Sequence, residues 1–206
     1  MVTFIPGVGR TSADLAGWLD RLPGSSVADY PRLENPTLDG YVEHFARVIP
    51  PGSFVVGESL GGLVALGLAG RGYPGLAVDP PLTTAKQWTL HLAMRTRAFQ
   101  IKSPIFDALI TNLFGYLPDG TVEDRVYYPM LAQVRAPFSI VTGDVPLHPQ
   151  RGEPTRPCMI DAVDGYVLEA SRVDLFQVKG GHALLVENVE ALTALIIDRV
   201  APSTPT

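Results

Sequence analysis

Two glycines placed two residues either side of a serine, Gly57 and Gly61 about Ser59, constrain this chain's fold more than any other feature. An apolar run from Ser53 to Val56 leads into the motif, and Leu60 to Gly70 leaves it with helical spacing. A strand, a sharp turn and a helix therefore meet at Ser59. In so tight a turn, a side chain at either glycine position would collide with the helix or the strand. The turn lifts the Ser59 hydroxyl out of the sheet and sets the Leu60 N–H at a helix N-terminus, where partial positive charge can meet a developing oxyanion. A chain with 20 glycines can produce this spacing by chance. The strand before it and the helix after it single out Ser59 as a candidate nucleophile.

The rest of the chain repeats the alternation of strand and helix. Val2 to Pro6 reads as a strand, Gly7-Val8-Gly9 as a loop, and Thr11-Ser12-Ala13-Asp14 as a helix start followed by an apolar face of Leu15, Trp18, Leu19 and Leu22. Ser26 to Tyr30 is a second predicted strand. Thr37 to Gly40 opens a helix with Tyr41, Phe45, Val48 and Ile49 as its stripe, ended by Pro50-Pro51-Gly52. Beyond the Ser59 turn, predicted strands cover Gly75 to Pro80, Pro137 to Gly143 and Val173 to Val178. Helices are expected from Ile160 to Ala170 and from about Asn188, a good N-cap, onward, with a frayed Pro-Ser-Thr-Pro tail. Apolar strands separated by helices fit a parallel sheet covered on both faces. The fold class expected is α/β in three layers, with a mostly parallel sheet of about six strands.

Between Pro81 and Ala136 the alternation stops and the segment reads as helices only. Ile105, Phe106, Leu109, Ile110, Leu113, Phe114 and Leu117 recur at helical spacing, Trp88 and Leu92 mark a helix before them, and Val126, Met130 and Leu131 mark one after. The reading is one domain over residues 1–206, with a helical lid insertion at about 82–135.

Composition narrows the class of partner. A net charge of −5, a pI near 5.3 and the absence of any basic run exclude a nucleic-acid footprint. No apolar stretch approaches the roughly 20 residues of a membrane span. The N-terminus is apolar too briefly for a signal peptide, and the single cysteine, Cys158, cannot form an internal disulfide, so a cytoplasmic protein is expected. No metal or cofactor is expected.

A serine becomes a nucleophile when a base takes its proton and a further group orients that base. His44 falls mid-helix, His91 in the insertion and His148 in a loop; His182 alone follows a strand end, at Gly180-Gly181-His182. Parallel strands end at one edge, so Ser59 and His182 share that edge with Asp79 and Asp144.

Gly57-Glu58-Ser59-Leu60-Gly61-Gly62, the Gly180-Gly181-His182 turn with Glu187-Asn188 after it, and Phe4-Ile5-Pro6-Gly7-Val8-Gly9 at the start together resemble the α/β-hydrolases, over essentially the whole chain. The resemblance implies a Ser-His-acid triad, a two-amide oxyanion hole and hydrolysis of an acyl bond. The amides of Val8 and Leu60 would form the hole. Compared with that pattern, two N-terminal strands are missing, Pro6-Gly7 stands where His-Gly is frequent, and the insertion allows only a small lid. The acid usual in relatives three residues past the glycine that ends the fifth strand is here Pro146. Asp144, one past Gly143 and the only carboxylate in that loop close to the strand end, is therefore the first choice of acid. Asp79, before Pro80-Pro81, is the alternative. Asp161 and Asp164 are expected on the following helix facing solvent, Glu58 as a solvent-edge residue satisfied by neighbouring amides, and Tyr127 and Tyr128 as packing.

The function this implies is a serine hydrolase of the carboxylesterase or thioesterase type. It would cleave a small-molecule ester or thioester with an apolar acyl or alkyl group through Ser59, His182 and Asp144, the greasy insertion helix supplying the apolar surface. Two alternatives share the scaffold: a non-hydrolytic α/β-hydrolase-like protein that binds a small ligand, and a cofactor-free carbon–carbon hydrolase using the same triad.

Overall fold

A computed structural model describes residues 1–84, 96, 98, 100–146 and 157–200. The helix expected around Trp88 and Leu92, His91, His148 and the C-terminal tail lie outside the described residues. Six strands form one sheet in the order β2-β1-β3-β4-β5-β6, with every neighbouring pair parallel. They are β1 (Val2–Ile5), β2 (Ser26–Val27), β3 (Phe54–Glu58), β4 (Gly75–Val78), β5 (Phe138–Thr142) and β6 (Asp174–Gln177). β1, β3, β4 and β5 are buried along their whole length, as strands covered on both faces must be. The edge strands are shorter than their sequence runs. β2 pairs only with β1, through Thr3↔Ser26 and Phe4↔Val27, and beyond it Tyr30 packs edge-on against the rings of Tyr41 and Phe45 instead of extending the ladder.

Helices cover the two faces. The first begins as a 3₁₀ turn, Ser12–Leu15, before α1 (Ala16–Arg21). The tighter turn shifts the helical phase, so Leu15 and Trp18 are buried while Leu19, expected on the same face, is 40% exposed. α2 (Leu38–Val48) starts at Thr37, whose hydroxyl accepts from the Gly40 N–H at 3.1 Å. Tyr41, Phe45 and Ile49 are buried as expected, but Val42 takes the place in the core predicted for Val48, which faces solvent. α3 (Leu60–Ala69) is buried almost all round, because it lies between the sheet and α2.

The segment between β4 and β5 is not purely helical. Isolated antiparallel bridges join Thr83 to Val126 and Tyr116 to Val122, and Val126 is exposed rather than a helix's apolar anchor. α4 (Pro104–Phe114) opens with proline in its first turn and closes on Gly115, whose φ of 75° suits the left-handed cap. Its Ile110, Leu113 and Phe114 sink into the main core, which leaves Phe106 and Leu109 half-buried beside it. A 3₁₀ segment, Tyr128–Gln133, stands where a third helix was predicted.

After β5 comes α5 (Ala162–Glu169), capped reciprocally by Asp161 and Asp164. Asp164 does not face solvent: it is fully buried and accepts a hydrogen bond from the Tyr128 hydroxyl at 2.5 Å, fastening the insertion to this helix. A short helix, α6 (Leu184–Glu187), not foreseen from spacing, precedes α7 (Val189–Val200). Asn188 accepts from the Ala191 N–H at 3.3 Å as the predicted N-cap. No helix among the described residues is long and apolar enough to cross a membrane.

Candidate active site

Ser59 sits between β3 and α3 at φ 54° and ψ −115°. Such a backbone costs on the order of 1–3 kcal/mol for a residue with a side chain and persists only where the surroundings enforce it. The enforcement is visible. The Ser59 N–H donates to Val78 of β4 at 2.8 Å, and the Ser59 carbonyl accepts from Gly62 and Leu63 at 2.9 and 3.2 Å. A methyl group on Gly57 would lie 2.0 Å from the Gly61 carbonyl oxygen, and one on Gly61 2.3 Å from that of Ile5. The two glycines let strand, turn and helix close on one another, as the sequence required. Leu60, the first residue of α3, has no intrahelical acceptor for its N–H.

The loop after β1 lies against this turn. Gly7 to Arg10 form a tight turn, with the Arg10 N–H donating to the Gly7 carbonyl at 3.2 Å and Gly9 at φ 78°. A methyl group on Gly7 would stand 3.3 Å from the Ser59 Cβ, so the backbone next to Val8 runs alongside the serine. The pairing of Ile5 with Gly57 in adjacent strands puts it there.

His182 follows β6 at the same sheet edge. Its Nδ1 lies 2.6 Å from Oδ2 of Asp79, a residue with no exposed surface. Asp79 ends β4 in the left-handed region, at φ 44°. Its carboxylate also accepts from the Thr142 hydroxyl at 2.7 Å and from the Met159 and Ile160 N–H groups at 2.8 and 3.3 Å. Three neutral donors hold the carboxylate in one orientation and leave Oδ2 facing the imidazole.

Asp144, the acid expected from the sequence, makes a different contact. It is exposed, and its Oδ1 accepts from the Gly180 N–H at 2.9 Å, while the Gly180 carbonyl accepts from the Asp144 and Val145 N–H groups. With Glu187, which accepts from the Gly181 N–H at 2.6 Å, it secures the backbone of the histidine loop and not the ring. The difference in contacts has a simple cause. The ring points back along the sheet edge toward β4, next to β3, and the buried end of β4 presents a carboxylate already held by β5 and the Met159 segment. The signal in the sequence was Asp79 itself, closing an apolar strand directly before Pro80-Pro81.

Glu58 also departs from expectation. It is 2% exposed, not at the solvent edge, and its Oε2 is 3.1 Å from the Arg10 Nε. Burial raises its carboxyl above the usual carboxylate range, partly offset by the charges on Arg10 and His182 and by the Gly7 amide. Tyr127 is packing with a polar tip, its hydroxyl donating to the Leu113 carbonyl at 2.6 Å, and burial pushes it up to about 12. Among the described residues, no group of three His, Cys, Asp or Glu side chains is arranged to hold a metal ion.

Cys158 is buried near Asp79. Burial first, and then the Asp79 charge, push its thiol up to about 11. The thiol stays protonated through neutral pH and is shielded, so the folded protein should react negligibly with dithionitrobenzoate at pH 8, while the unfolded chain releases one equivalent. Fast titration of the folded protein would contradict this packing.

No family model and no curated protein matches the chain. Solved structures do. A hydrolase from Pseudomonas aeruginosa PA01 superposes with a TM-score of 0.63 at 15% identity, over 98% of this chain and 89% of that one. E-2-(acetamidomethylene)succinate hydrolase gives 0.65 at 16% identity, over 98% and 91%. The thioesterase domain from the curacin biosynthetic pathway gives 0.59 at 15%, over 96% and 90%. At these identities the likeness is one of fold, and the fold is that of the α/β-hydrolases.

Proposed function

We propose that this chain, an α/β-hydrolase by its fold, is a serine hydrolase whose triad is Ser59, His182 and Asp79 and whose oxyanion hole is formed by the amides of Val8 and Leu60. The observation that carries the reading is the 2.6 Å contact between His182 and the buried, fully hydrogen-bonded Asp79, at the same sheet edge as the strained Ser59 turn. His182 takes the Ser59 proton as the serine oxygen attacks a carbonyl carbon, and Asp79 fixes the tautomer and stabilises the imidazolium. The carbonyl electron pair moves onto oxygen, where the two amides receive it. Collapse expels the alcohol or thiol, protonated by His182, and water then cleaves the acyl-enzyme by the same steps.

The substrate in this reading is a carboxylic ester or thioester with an apolar acyl or alkyl group. Two observations support it: the half-buried Phe106 and Leu109 on the insertion helix, and the thioesterases among the structural neighbours, including the type II thioesterase BorB from the borrelidin biosynthetic cluster. In the same reading the segment at about 82–135 is a small lid on a single domain.

A fluorophosphonate probe should label the protein at neutral pH, and Ser59→Ala should abolish labelling and ester turnover. On p-nitrophenyl esters, kcat/KM should rise from acetate to octanoate, and acyl thioesters of N-acetylcysteamine tell the two acyl classes apart. Absence of labelling at neutral pH would sink the hydrolase reading. A flat chain-length profile would sink the apolar specificity alone.

A further inference from the structure

Glu58 is a buried carboxylate one residue before the nucleophile, and the proposed chemistry does not use it. Its Oε2 meets Arg10, while its Oε1 is buried without a hydrogen-bond partner among the described residues. A buried charge with an orphan oxygen is costly to keep, and such groups concentrate where a fold serves a site rather than its own stability. The geometry is specific. Glu58 is fixed by β3 directly ahead of the Ser59 turn, and Arg10 closes the four-residue turn that begins at Gly7. A methyl group on Gly7 would lie 3.2 Å from Oε2, so the same oxygen that holds Arg10 also lies against the start of that loop. Arg10 is only partly exposed, with 23% of its side chain accessible, which keeps the ion pair out of bulk solvent.

We propose that Glu58 and Arg10 form a clamp that pins the Gly7–Arg10 loop onto the nucleophile turn and thereby sets the position of the Val8 amide in the oxyanion hole. Both are positioning residues, acting through the loop and not on the substrate. The proposal rests on the serine-hydrolase reading above. Its logic is that an oxyanion donor works only where the oxyanion will form, and a loop of two glycines and a valine cannot hold that register by itself. The ion pair adds a charged side-chain tie between loop and turn, beside the Gly7 amide at the same carboxylate. A glycine at position 7 suits this arrangement, since a Cβ there would crowd Oε2 at 3.2 Å and the Ser59 Cβ at 3.3 Å.

The test uses the full chain, with p-nitrophenyl butyrate as substrate and an alkyl trifluoromethyl ketone as the probe of the hole. Ser59 adds to the ketone carbon, and the former carbonyl oxygen becomes an oxyanion facing the two amides. Glu58→Gln and Arg10→Met should each lower kcat about 30- to 300-fold, on the scale of one misplaced oxyanion donor, with KM within about threefold. Ketone affinity should fall by a similar factor. The double variant should lose no more than the worse single one, because both changes undo the same tie. Arg10→Lys, which keeps the charge, should recover at least about a tenth of wild-type kcat.

If Glu58→Gln fails to fold, the Arg10 variants at the partly exposed end carry the test. The clamp is overturned if both single variants keep kcat within about threefold of a wild type that turns over ester. It is equally overturned if the loss falls on KM and melting temperature while ketone affinity stays unchanged, since that is what a merely structural pair would give. A wild type that neither reacts with fluorophosphonate nor turns over ester defeats the hydrolase reading first, and the clamp with it.

Discussion

Asp79→Asn is expected to lower kcat by about 10²- to 10⁴-fold, roughly 3–5 kcal/mol of transition-state stabilisation, while KM changes little. The partners of Asp79 define which part of the proposed triad is lost. Oδ2 accepts from His182 and from the Met159 N–H, whereas Oδ1 faces the Thr142 hydroxyl, which can turn and accept, and the more distant Ile160 N–H. An asparagine will therefore direct its amide nitrogen toward Thr142 and keep its oxygen toward the ring. The imidazole keeps an acceptor and loses the negative charge that stabilises its protonated form. Steady-state kinetics on a short-chain ester, with the melting temperature as a control for the buried bond that is weakened, checks this. Asp144→Asn should leave kcat within about tenfold, because an amide oxygen can still accept from Gly180 and the ring does not depend on it. If Asp144→Asn were the crippling change, the assignment of Asp79 would be wrong.

Gly57→Ala should severely damage folding. The added carbon would sit 2.0 Å from the Gly61 oxygen, 2.3 Å from its carbonyl carbon and 2.7 Å from the Gly62 nitrogen, all backbone atoms of the turn and the start of α3. No side chain can rotate away to make room. The strand cannot shift either, since Gly57 is paired with Ile5 on one side and Ala77 on the other. The expected loss exceeds about 4 kcal/mol, a large part of a domain's usual 5–15. At this chain length that is a fall in melting temperature of roughly 10 °C or more. Gly17→Ala is the matched control. A methyl group there meets nothing within 4 Å, and in the helix α1 it should be neutral or stabilising by up to about 1 kcal/mol. Melting curves of the two variants decide it, and a Gly57→Ala protein as stable as wild type would mean that the turn is looser than described.

The sheet and most helices were legible because their signals are local. β3 and β4 read as apolar runs, Thr37 and Asn188 announced helix starts, and proline and glycine ended segments where the chain turns. Where the sequence misled, the deciding interaction came from elsewhere in the chain. Leu19 was displaced by a 3₁₀ turn that its spacing does not show, and Asp164 was drawn inward by Tyr128, 36 residues before it. Glu58 was buried by an arginine 48 positions away, on a loop that only the β1–β3 pairing brings near.

The sequence by itself determined the turn at Ser59, because two glycines around a serine between strand and helix admit few backbones. It also placed His182 at a strand end, and so at the edge where parallel strands all finish. The partner of His182 was decided by tertiary structure alone. Asp79 and Asp144 both follow strands at that edge, and the strand-end position they share does not choose between them. What separates them is strand order: β4 lies next to β3, and the end of β4 is enclosed by Thr142, Met159 and Ile160, so that carboxylate is buried and oriented toward the ring. The aspartate one strand further out is left to hold the histidine loop.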